Sequence, residues 1–79
     1  MRTKILSIKG KIFESEVLSA NLKTRTGEIT ILDNHRPLLG IVEPGIIKIM
    51  DNAKHEHFME TAGGFLEVKE NNESRFIIN

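Results

Sequence analysis

Cysteine, tryptophan and tyrosine are all absent from the sequence. Without cysteine there is no disulfide framework, no thiolate zinc site and no cysteine nucleophile. The aromatic share is 5%, all of it Phe, so the core must be built from Ile, Leu and Val. So few rings also make a poor stacking platform for single-stranded nucleic acid. Charge of one sign is not in excess: 11 basic residues balance 11 acidic ones and form no Lys/Arg block. That removes any general electrostatic pull toward nucleic acid or an anionic membrane. No apolar run approaches the ~20 residues that a membrane-crossing helix needs. The segment Met1-Arg2-Thr3-Lys4 is basic but leads into no long apolar stretch, so no signal peptide is expected.

What is present is enough for one small domain over residues 1–79, with 39% apolar residues. Apolar residues alternate in short runs and rarely recur at helical spacing, which predicts strands. Turn signals separate the runs: Thr26-Gly27, Asp33-Asn34, Pro44-Gly45, Asp51-Asn52, Gly63-Gly64 and Asn71-Asn72. They recur every ~8–12 residues, the spacing of a sandwich or barrel. The expected fold is therefore all-β, a sandwich or barrel. Within it, Leu6 and Ile8 are expected to share one face of the first strand. Phe13 is placed in a short second piece, and Leu18, Ala20 and Leu22 on one face of a strand over residues 16–24.

The candidates for chemistry are few. His55 and His57, two apart, fall on one face of a strand, but a metal site would need further ligands that no spacing supplies. Asp33 beside His35 could orient a general base, yet no serine stands in a nucleophile elbow. A small hydrolase using this pair is the weakest reading. The glycines of Thr26-Gly27-Glu28 and Ala62-Gly63-Gly64 match neither a P-loop nor a dinucleotide fingerprint and read as turns. No cofactor and no metal are expected.

Three blocks stand out in order: Gly27-Glu28 with an Ile/Leu-rich strand and His35-Arg36-Pro37-Leu38-Leu39; Glu43-Pro44-Gly45-Ile46; and Gly63-Gly64-Phe65-Leu66-Glu67-Val68. With Phe13 and Glu16-Val17 ahead of them, they resemble the N-terminal β-sandwich of the epsilon subunit of rotary F-type ATP synthases. The resemblance runs from about Lys4 to Ile78. Thr30, Asp33-Asn34 and Arg36 depart from the family pattern, which has Gly, Pro-Gly and Ala there. It is to the short members, or else to a truncated form, without the two C-terminal helices that carry inhibition and, in some members, an ATP site.

The resemblance implies an all-β fold, a two-sheet β-sandwich of about ten short strands with five in each sheet, and a non-catalytic place in the central rotor. It implies a link between the gamma subunit and the membrane c-ring, through which proton or sodium flow is coupled to ATP synthesis. It implies c-ring contact at Gly27, Glu28 and Ile29, and gamma-subunit contact at His35, Arg36 and Leu39. It also implies a peripheral location on the cytoplasmic face of the bacterial inner membrane, without insertion, nucleotide binding or nucleic-acid partner. The alternative is an unrelated small β-sandwich interaction module, since one fold hosts many functions.

Overall fold

Alternating burial along each strand organises the computed structural model, which describes residues 1–79. Eight strands and no helix follow in order: β1 (Arg2–Ser7), β2 (Gly10–Thr24), β3 (Gly27–Leu32), β4 (Leu38–Val42), β5 (Gly45–Asp51), β6 (Glu56–Thr61), β7 (Gly64–Lys69) and β8 (Glu73–Ile78). Every turn signal read from the sequence falls between strands or at a strand end. Eight strands take the place of about ten, and residues 10–24, expected as two pieces, form one 15-residue strand.

That long strand belongs to both layers. Its first half pairs with β1, from Arg2↔Glu16 to Ser7↔Gly10. Its second half pairs with β3 on one side and β5 on the other. One layer runs β2-β1-β8-β7-β4, with β1 and β8 parallel and the other pairs antiparallel. The other runs β3-β2-β5-β6. Between them lies a core of 13 buried apolar residues. The first layer supplies Ile5, Leu66, Val68, Phe76 and Ile78; the second supplies Ala20, Leu22, Ile31, Ile47 and Ile49. Each large side chain so buried contributes roughly 1.5–3 kcal/mol relative to exposure.

Two expectations about facing are corrected. In β1 the inward residues are Thr3 and Ile5, preceded by Met1, while Ile8 is 96% exposed in the turn beyond. Pattern reading missed this because a polar residue holds a core position. Thr3 is buried because its hydroxyl lies 2.8 Å from Ser74 Oγ, directly across the β1–β8 pairing. The two hydroxyls satisfy each other, which removes the desolvation penalty of an unpaired group. In β2, Val17 is inward and Leu18 outward. The β2–β5 register shifts between Val17 and Ser19, so Leu18 is the extra residue of a bulge. A bulge resets the period-2 alternation, and Ala20 and Leu22 then face inward again.

The rim of the first layer carries an acid-sensitive ion cluster. Glu14 accepts from Lys11 Nζ at 2.7 Å and from Arg2 Nη2 at 3.0 Å and Nε at 3.2 Å. Those two partners, Lys11 foremost, pull its carboxyl from 4.5 to about 2. A carboxylate with a depressed folded-state pKa stabilises fully above its unfolded value and loses that contribution as pH falls through the folded one. The thermal midpoint is therefore expected to fall progressively between pH 4.5 and about 2. Glu14→Gln should flatten that part of the curve, measured by circular dichroism melts across pH; an unchanged acid limb would exclude the cluster as its source.

Candidate functional site

The tip of the β2–β3 hairpin is Arg25-Thr26, closed by Gly27 at φ 128°. Only glycine occupies that backbone region at little steric cost. Thr24 pins the turn, donating from Oγ1 to the Gly27 carbonyl at 2.8 Å and accepting the Thr26 N–H at 3.3 Å. Glu28 follows at the exposed edge, its carboxylate accepting from Asn21 Nδ2 at 3.2 Å. Ile29 turns inward and packs on the core. Of the three residues assigned to one contact, Gly27 and Glu28 are thus the exposed ones and Ile29 anchors them.

His35 and Arg36 lie in the loop before β4, and Leu39 lies on β4. Asp33 does not engage His35. Its carboxylate is held below the ordinary range by the Met1 amino group first and Asn72 second. The His35 ring nitrogen Nδ1 instead sits 2.7 Å from the Arg36 carbonyl. The two residues of the supposed catalytic pair therefore have separate partners. His57 is likewise engaged locally: its Nε2 lies 2.8 Å from Asp51 Oδ2, with its ring 5.3 Å from that of Phe13. Asp51 Oδ1 accepts the N–H groups of Ala53 and His55, closing the β5–β6 turn. The hydrogen bond with His57, more than those with the turn backbone, holds Asp51 below the usual carboxylate range.

The largest surface feature gathers residues that lie far apart along the chain. A groove of about 660 Å³ follows β4. Leu39, Ile41, Phe65 and Ile77 line it together with Arg25 and Ile29 of the hairpin. Leu39 is 80% exposed and Phe65 64%, large values for such side chains in mid-strand.

Register explains why they meet. On the outward face of the first layer, Ile41, Phe65, Ile77 and Leu6 are successive cross-strand neighbours on β4, β7, β8 and β1. The next row, two residues along, is Leu39, Glu67, Arg75, Lys4 and Glu14. The outward face is therefore apolar at one end and charged toward the other. A contiguous apolar row of this kind, rimmed by charge, marks an interaction surface. Alternation about Leu66 and Val68 already predicts that Phe65 points outward. That Phe65, Ile41 and Ile77 form one row depends on long-range pairing.

Known proteins share this fold. The family model described as ATP synthase, Delta/Epsilon chain, beta-sandwich domain matches residues 1–74. The ATP synthase epsilon chains of two strains of Desulfitobacterium hafniense are each 38% identical over 68 residues, covering 86% of this chain and 51% of the relative. The chain thus spans about half the length of the curated relatives it matches. Among solved structures, it superposes on a chain of the Euglena gracilis mitochondrial ATP synthase (OSCP/F1/c-ring) with a TM-score of 0.90 and 19% identity, over 96% of this chain and 48% of that one. A chain of the Tetrahymena thermophila mitochondrial ATP synthase central stalk/c-ring gives 0.81 and 17%, over 99% and 62%. At these identities the superpositions establish the fold.

Proposed function

This chain belongs to the ATP synthase delta/epsilon-chain β-sandwich family, and on that premise we propose that it acts as a non-catalytic rotor piece of a rotary ATP synthase. It joins the gamma subunit to the c-ring and so couples proton or sodium flow to ATP synthesis. It sits with the complex at the cytoplasmic face of a bacterial inner membrane. The observation that carries this reading is the family match over residues 1–74, which includes both the hairpin tip and most of the groove.

The two features suit two partners. The hairpin tip presents the Glu28 carboxylate on a turn fixed by Thr24, suited to pairing with basic c-ring loop residues. An exposed pair of that kind gives orientation and association rate more than affinity. Gamma takes the side that carries His35, Arg36 and Leu39, with Leu39 entering the groove beside Phe65. Most binding energy at such surfaces comes from a few desolvated apolar anchors. A packed sandwich between the two transmits torque because its interior deforms little.

The test is capture of purified gamma and of c-ring on the immobilised chain. Glu28→Arg is expected to weaken c-ring capture about tenfold, the effect of opposing rather than pairing a rim charge. Gamma capture and the melting temperature stay as in the wild type. Capture of neither partner, under conditions where a full-length epsilon chain binds both, would refute the assignment.

A further inference from the structure

The outward face of β4, β7, β8 and β1 has a property that its apolar row alone does not reveal: it is self-complementary. We propose that the free chain forms a weak two-fold dimer through this face. The occupant of the apolar row is then a second copy of the chain whenever no other partner covers it. This goes beyond the rotor role and does not depend on it.

The geometry follows from register. Consider a two-fold axis lying in the interface, parallel to the strands and between β7 and β8. It exchanges β7 with β8 and β4 with β1. Phe65 then meets Ile77 of the second copy, because the two are cross-strand neighbours within one chain. Ile41 meets Leu6 of the second copy, since they stand one strand further out on either side. Glu67 meets Arg75 of the second copy, and the reverse, because those two also face each other across β7–β8.

Glu67 and Arg75 therefore each land on an opposite charge, as an isologous interface in which one patch serves both subunits requires, while Lys4 lands on Leu39. Within one chain Glu67 and Arg75 already pair at 3.0 Å. The stacked faces resemble an aligned sheet-on-sheet packing, about 10 Å apart, with a second apolar layer outside the core.

Size sets the strength. With extents of 26 × 22 × 20 Å, no face reaches the ~800 Å² per partner of a standard interface. The dimer is accordingly weak and driven by concentration, and a partner that buries more of the groove displaces it.

Sedimentation of the purified chain from ~10 µM to ~1 mM, spanning the affinities of small interfaces, tests this. The weight-average mass is expected to rise from 8.9 kDa toward twice that value. Phe65→Asp should keep the chain monomeric across the range with unchanged melting, because Phe65 is largely exposed. Glu67→Arg should weaken association about tenfold or more by setting like charges opposite. The double exchange Glu67→Arg with Arg75→Glu should restore it, because the swapped charges again face opposites. A wild-type chain that stays monomeric throughout overturns the proposal. So does a dimer indifferent to Phe65→Asp, or one that the double exchange fails to restore. Gamma capture is a separate measurement, so the rotor reading and the dimer stand or fall independently.

Discussion

Gly64→Ala is expected to lower the stability of the sandwich by about 3 kcal/mol or more, although it adds a single methyl group. For a chain of this size that corresponds to a fall of ~15 °C in the thermal midpoint. A Cβ added at Gly64 would lie 2.0 Å from the Ile77 carbonyl oxygen and 2.8 Å from the Ile78 Cα. Both obstacles are backbone atoms of the neighbouring strand, so no side chain can rotate away. Gly64 also sits at φ 156°, which keeps the added carbon aimed at β8. Relief requires β7 and β8 to separate at the pair Gly64↔Ile78, where Ile78 is a core residue. Gly40 is the control. It lies in β4 with ordinary backbone geometry, and an added methyl would meet nothing within 4 Å, so Gly40→Ala should melt within a few degrees of wild type. If Gly64→Ala also melts like the wild type, β7 and β8 do not approach as described.

Leu22→Asp should abolish cooperative unfolding altogether. Leu22 is 1% exposed in the middle of the second half of β2, opposite Ile29. An aspartate there must either carry an unpaired charge in the core or remain protonated against its ordinary pKa. Either course costs several kcal/mol, and the cavity left by the lost side chain adds to it. Total stability is only ~5–15 kcal/mol for proteins in general, and small sandwiches lie toward the low end. Loss of amide dispersion in a nitrogen–proton correlation spectrum is the readout. Leu18→Asp makes the comparison sharp. Simple alternation puts residues 18 and 22 on one face, yet Leu18 is 42% exposed at the bulge. It should tolerate the carboxylate with little loss, since surface substitutions usually change stability by ~0.5 kcal/mol or less. Equal damage at both positions would remove the bulge from the description.

Both predictions mark where reading residues in order reaches its end. The inward positions of β7 and β8, Leu66, Val68, Phe76 and Ile78, were legible because each strand obeys one alternation from end to end. The turns were legible because Gly27, Asn34 and Asn72 adopt positive φ, which their small or Asx side chains accept. In β1 the alternation was equally regular, but Thr3 disguised its inward face. Its burial depends on Ser74, 71 residues away, and no local window contains both. In β2 the bulge at Leu18 is a property of pairing with β5, so residues 16–24 alone could not announce it.

The candidate site divides the same way. Gly27 and Glu28 could be placed at a hairpin turn from a local motif, because a turn is made by neighbours in sequence. Leu39 could be named from its block, but its neighbours Phe65 and Ile77 come from strands that begin more than twenty residues later. By itself the sequence determined an all-β chain and its turns, because strand alternation and turn chemistry are short-range effects. Only the tertiary structure decided that β2 serves two layers, that Gly64 touches backbone, and that four scattered apolar residues form one row. Those outcomes depend on which strands pair and in what register, and that is fixed by burial summed over the whole chain rather than by any segment of it.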